Sequence, residues 1–187
     1  PDPSRSVRQG AIDPWTKPRY RWNHGEMKRL GRGKVRMDIA WMDLTDEEVS
    51  RAKASVEAKV MKIISLASPL LKVVLPDAPP LDHRFEQDGF ASKHTLADQP
   101  RLTRRAFEIA HMTGARIIRV FSYWRTVAPE KCFDRIAEDL LRLAELAAKE
   151  DLIIGLENEQ ACNIATASES AVMLERFQML RAGGTAL

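Results

Sequence analysis

Hydrophobic positions along the chain fall into short β-branched runs separated by stretches with helical spacing. The clearest unit lies between Gly114 and Glu159. Ala115-Arg116-Ile117-Ile118-Arg119-Val120-Phe121 predicts a buried strand, and Thr113-Gly114 before it breaks a helical pattern. Pro129 suits a first helical turn, where a missing N–H costs nothing. Ile136, Leu140, Leu143, Ala144 and Ala147 then recur at three- and four-residue steps, forming one apolar helix stripe. Leu152-Ile153-Ile154-Gly155-Leu156 predicts the next strand, which runs straight into Glu157-Asn158-Glu159. Acids at the carboxyl end of an apolar strand suit a parallel α/β enzyme, because ligands sit at strand ends.

The alternation continues on both sides. Val35 to Trp41 alternates weakly, as a strand does. Thr45 and Glu48 make a capping box for a helix with Val49, Ala52, Val56 and Val60 as its stripe. Met61 to Ala67 predicts a strand that Ser68-Pro69 ends. Pro76 to Pro100 is a long connection of the kind that serves as a lid or binding loop. A helix follows over Gln99 to Met112, with Leu102, Ala106, Ile109 and Ala110 inward and Arg101, Arg104 and Arg105 on a solvated face. Thr166 to Glu169 is a second capping box; Ala171, Leu174 and Phe177 form the last stripe, with Met173 and Leu180 as further candidates, and Gly183-Gly184 ends it.

Strand–helix alternation implies a parallel sheet. A doubly wound nucleotide fold would carry a Gly-rich turn after its first strand, whereas Gly31-Arg32-Gly33 precedes the strand. The expected fold is therefore α/β, a partial (β/α)8 TIM barrel of about four β/α units, half of the full complement.

Charge divides the chain unevenly. Residues 1–34 hold nine Lys or Arg against three acids, a local +6, which leaves −3 for residues 35–187 of the total +3. We expect a basic, irregular N-terminal arm over 1–34 and a barrel domain over 35–187. Trp15, Tyr20 and Trp22 interleave the arm's charges, a composition able to clamp single-stranded nucleic acid; a poorly ordered arm is the plainer expectation. Cys132 and Cys162 have no nearby partner, so neither a disulfide framework nor a zinc site follows and a reducing cytoplasm is expected. The longest apolar stretch, Ile63 to Pro76, is cut by Ser65, Ser68, Pro69 and Lys72 and predicts no membrane span. The leading residues lack an apolar signal core, so export is not indicated. His24, His83, His94 and His111 show no ligand spacing, and His83 and His94 read as loop histidines.

Three stretches carry a resemblance. Ile64-Ser65-Leu66-Ala67-Ser68-Pro69-Leu70-Leu71-Lys72, then Gly114 to Ser122, then Leu156-Glu157-Asn158-Glu159 resemble the sugar phosphate isomerase/epimerase family, xylose-isomerase-like TIM barrels whose superfamily also holds endonuclease IV. The likeness covers roughly Leu44 to Phe177. It implies that the three runs are strands three to five of a barrel, with a damaged strand two near Val35. Strands six to eight are not found, and Gln160 stands where the family often has His. An incomplete, truncated barrel with weak or no activity of its own is the expectation.

The resemblance implies metal-dependent aldose–ketose isomerisation or epimerisation of a sugar or sugar phosphate, with Mn²⁺, Mg²⁺ or Zn²⁺ polarising the oxygens. Glu157 matches the family's first metal-binding glutamate and is the candidate catalytic and metal residue; a strand-end acid paired with Arg or Lys is the plainer alternative. Glu159 points the same way if the strand continues, and pairs with Arg or serves substrate. Lys72 is a candidate to hold a phosphate or carboxylate, or to be simply solvated. Arg119, inside an apolar strand, needs a partner such as Glu157 or Glu159, with substrate binding as a second role. Trp124 and Tyr123 either wall a sugar pocket or pack on a helix. Asn158 faces the other side and supports a loop. Two further readings stand beside the isomerase. A metal nuclease at abasic DNA sites would need a basic surface, which the acidic balance of 35–187 opposes. A half-barrel that pairs with another copy would cover its raw sheet edges.

Overall fold

The computed structural model describes residues 41–85 and 94–181. The expected arm, the 34/35 boundary, most of the weak Val35–Trp41 strand, His24 and Gly183-Gly184 lie outside those residues. Trp41 itself opens a 3-10 turn, Trp41–Asp43, with its side chain buried.

Three strands form one parallel sheet in the order β1 (Ser65–Ala67), β2 (Ile117–Val120), β3 (Ile153–Leu156). Helix α1 (Asp46–Glu57) precedes β1, α2 (Gln99–Thr113) joins β1 to β2, α3 (Phe133–Ala148) joins β2 to β3, and α4 (Ala167–Arg181) follows. This is a mixed α/β architecture with the parallel sheet of a partial TIM barrel. Thr45 caps α1 by accepting from the Glu48 N–H, while the Glu48 carboxylate accepts from the Thr45 N–H. Thr166 and Glu169 do the same for α4. Gly114 ends α2 in the left-handed region (φ 78°), which glycine adopts without a Cβ penalty.

Register assigns the two faces. Leu66, Ile118 and Ile154 form one cross-strand row; Ser65, Ile117 and Ile153 form the row before it, and Ala67, Arg119 and Gly155 the row after. Successive rows point to opposite faces. Leu66, Ile118 and Val120 are fully buried, and α2 packs on β1 and β2 while α3 packs on β3 and α4. The other face is the one a barrel turns inward. It carries Ile117 at 38% exposure and Ile153 at 53%, which with Ile63 and Ile64 line an open recess of about 530 Å³ near the amino ends of the strands.

Several expectations change. The strand expected over Met61–Ala67 shrinks to Ser65–Ala67, because β2 pairs only from Ile117 and, among the described residues, no strand lies beside 61–64. Val60, expected in the stripe of α1, lies beyond the helix, exposed, at φ 57°. On α4 the inward residue is Met173, whereas Leu174 is 61% exposed and Ala171 is exposed too. The Glu169 carboxylate is drawn to Arg125 and Arg176 to Asp134 of α3, which sets the helix rotation one position off the expected stripe. Arg101 and Arg104 are solvated as expected, but Arg105 is not: it donates to Asp46 and to the Leu44 carbonyl, tying α2 to the start of α1. Among the described residues no helix is long and apolar enough to cross a membrane.

Candidate functional site

The carboxyl ends of β1, β2 and β3 run on into irregular segments that hold one another. Residues 70–73 lie beside 121–124: Phe121 N–H donates to Leu70 O, Tyr123 N–H to Leu71 O at 2.7 Å, and Trp124 N–H to Val73 O. Leu71 (φ 60°) and Tyr123 (φ 61°) both sit in the left-handed region. Non-glycine residues persist there only where the surroundings over-determine them, and here a backbone hydrogen bond joins the two. Ser68 at the end of β1 donates from its hydroxyl to Arg119 O at 2.6 Å.

Two cation–carboxylate pairs stand at this rim. Arg119 shares its row with Gly155, and Glu157 lies two residues on, so both side chains emerge on the inward face. Arg119 Nη1 donates to Glu157 Oε2 at 2.5 Å. Lys72 Nζ lies 2.9 Å from Glu159 Oε2 and 3.1 Å from Oε1. Phe121 joins the pairs: its ring centroid is 4.4 Å from Arg119 Cζ and 4.4 Å from Lys72 Nζ, with Trp124 at 5.3 Å from the same ammonium. Cations over aromatic faces gain most when desolvated, and the Lys72 side chain is only 5% exposed.

Of the site residues expected from sequence, the structure brings Glu157, Glu159, Lys72, Arg119 and Trp124 into one cluster. Glu157 emerges at the same rim as Ser68 and Ser122, on the face away from the helices. Arg119 finds one of its two expected partners. A solvated Lys72 is excluded: it is buried and paired. Trp124 is buried, bridged to Cys162 and turned toward Lys72. Tyr123 packs into α3 instead of walling a pocket; its hydroxyl donates to Asp139 at 2.8 Å, and burial, with Asp139 beside it, raises its pKa. The Asn158 amide donates to Ala165 O and braces the loop, as expected of it. His83 is exposed.

Sequence reasoning missed what holds this rim together. Asn163 is fully buried, and its side chain makes four hydrogen bonds. Its amide donates to Ser122 O and Trp124 O, and its oxygen accepts from Thr126 N–H and Oγ1. Arg125 donates to Cys162 O, Asn163 O and Glu169. Burial opposes the charge of Glu169, but Arg125 and the Ala165 and Thr166 N–H groups outweigh it and lower its pKa. The partners lie about forty residues apart, so no local spacing marks them. The long connection also docks here. Asp82 N–H donates to Arg125 O and Val127 N–H to Pro80 O, and Leu81 bridges Thr126.

A divalent cation does not fit these donors. Among the described residues no three His, Cys, Asp or Glu converge, and each of the two rim carboxylates is already held by a cation. What the arrangement offers is a set of oriented acceptors and donors at a strand-end rim, where a barrel binds small molecules.

Among curated proteins none matches the chain. The family model for the xylose isomerase-like TIM barrel matches residues 28–182, most of the sequence. With a parallel sheet, helices on one face and acids on the carboxyl rim, the chain belongs to the xylose isomerase-like TIM-barrel family.

Proposed function

We propose that this chain is a sugar isomerase or epimerase-like domain whose carboxyl rim binds a sugar or sugar phosphate. The observation that carries the reading is the Glu157 side chain, inward-facing at the carboxyl end of β3 and oriented by Arg119. Isomerising or epimerising a sugar requires moving a proton at a carbon next to a carbonyl. A positioned carboxylate can take that proton, and adjacent donors favour the negative charge that develops on the oxygen. In this reading Glu157 is the catalytic carboxylate, and Arg119, Lys72 and Glu159 engage hydroxyl or phosphate oxygens, with Trp124 buttressing Lys72. The family's Mn²⁺, Mg²⁺ or Zn²⁺ has no closed shell among the described donors, and no step here depends on one. Buried free thiols at Cys132 and Cys162 agree with a cytoplasmic setting.

Ligand-observed NMR with aldoses, ketoses and their phosphates tests the reading. Binding should weaken in Glu157→Gln and in Lys72→Gln. Unchanged binding in both would refute it. The nuclease reading gains no support, since Arg119, Lys72 and Arg125 are each matched by a carboxylate.

One observation favours a second reading, a chain that associates with its own copy. Ile64, Ile117 and Ile153 are exposed on and beside the inward face, and such apolar surface promotes association. Light scattering after size exclusion should then give more than one chain per particle, and Ile117→Thr/Ile153→Thr should return it to a monomer.

A further inference from the structure

We infer that Arg119 and Lys72 stand as fixed side-chain charges where a divalent cation would have to sit, so that Glu157 and Glu159 take no metal in the folded chain. The inference rests on reading the rim as the sugar site.

The geometry is specific. A metal approaching Glu157 meets the guanidinium that already holds Oε2. One approaching Glu159 meets the Lys72 ammonium, which spans both carboxylate oxygens at 2.9 and 3.1 Å. Withdrawal of either cation would break an ion pair. Lys72 is buried against Phe121 and Trp124 and paired with Glu159, so moving it aside would break a desolvated charge pair. Arg119 lies over the same Phe121 ring, at 4.4 Å. Its Nε is buried and finds no acceptor among the described residues, so the guanidinium already lacks full satisfaction and depends on Glu157. A divalent ion placed beside two retained positive charges would be repelled. The two side-chain cations can themselves favour negative charge on a substrate oxygen, the task a metal performs elsewhere.

Calorimetric titration of the full chain with MnCl₂, repeated with MgCl₂ and ZnCl₂, tests this. The isotherms of the wild type and Glu157→Gln should superimpose. Arg119→Gln, which removes the charge, should bind Mn²⁺ about fivefold tighter or more than the wild type. Saturable wild-type binding that Glu157→Gln abolishes would overturn the inference, as would a folded Arg119→Gln with no gain. If circular dichroism shows Arg119→Gln unfolded, the comparison of wild type with Glu157→Gln decides alone. Fructose binding by NMR, with and without EDTA, separates the two claims. Binding that survives EDTA supports both. Binding only with added Mn²⁺ overturns the metal-free rim and leaves the sugar reading standing. No fructose binding in either condition removes the sugar reading, while the isotherms still decide the metal.

Discussion

Arg119 on β2 and Glu157, the residue that follows β3, emerge two rows apart on the inward face, and Nη1 meets Oε2 at 2.5 Å. Both side chains are partly exposed, so solvent screening limits the strength of the pair. A hydrogen bond between charged groups contributes more than a neutral one, and partial exposure brings it to about 1–2 kcal/mol. A double-mutant cycle of Arg119→Met and Glu157→Gln, read by urea unfolding, should give a coupling of about 1 kcal/mol. Additive single effects would mean that the contact does not persist in solution.

How far the sequence revealed this site depends on how local each signal is. Both capping boxes, Thr45/Glu48 and Thr166/Glu169, were legible because donor and acceptor lie three residues apart. Arg119 announced its need for a partner because a charge in an apolar strand must be matched. Lys72 gave no such warning. Its partner Glu159 lies 87 residues on, and its burial comes from two aromatic rings supplied by another strand end. The rotation of α4 was only partly legible for a related reason. Met173, a further candidate for the stripe, is the residue that is buried. Ala171 and Leu174 look like an apolar stripe, but polar anchors at Glu169 and Arg176 decide which face turns inward. Strand length depends on the neighbour, so the apolar run at 61–64 could not by itself show where pairing begins.

Asn163 should be the most sensitive polar position in the fold. Its side chain satisfies two backbone carbonyls, one backbone N–H and the Thr126 hydroxyl, all buried. Truncation strands several of these groups, and each unmet buried group costs about 1–3 kcal/mol. Asn163→Ala should lose about 2–4 kcal/mol in urea unfolding. Asn163→Asp should also be destabilised at neutral pH, because a carboxylate cannot donate to Ser122 O and Trp124 O. A loss below about 1 kcal/mol in both variants would show that the β2–α3 and β3–α4 connections do not depend on it.

Asp82 should give the stability a distinct acid limb. Its side chain is 4% exposed, and Arg84, itself 80% exposed, donates to both carboxylate oxygens at 2.8 and 2.6 Å. The Arg84 hydrogen bonds lower the Asp82 pKa to about 2, against an opposing cost of burial. The folded state therefore binds fewer protons here than the unfolded state, whose carboxyl titrates near its ordinary 3.8. The stabilisation is fully present above that value and is lost as pH falls from about 4 to about 2. Urea midpoints across that range should fall more steeply in the wild type than in Asp82→Asn. Parallel curves would mean that the Asp82–Arg84 contact does not form.

Cys162 and Cys132 should be silent to thiol reagents in the folded protein. Burial raises the Cys162 thiol to about 12, with the nearby Glu159 carboxylate adding to the shift and Lys72 opposing it. Burial also raises Cys132, against a hydrogen bond shared with Thr126. The thiolate is the reactive form; burial disfavours it at both sites, and both residues are shielded from solvent. Ellman's reagent should therefore release no thionitrobenzoate from the native chain and two equivalents after guanidinium unfolding. Asn163→Ala supplies a graded control: if Asn163 holds the β3–α4 connection closed, Cys162 next to it should become reactive before Cys132 does. Rapid native labelling of Cys162 in the wild type would mean instead that this connection opens readily, and that the Lys72–Glu159 pair beside it opens too.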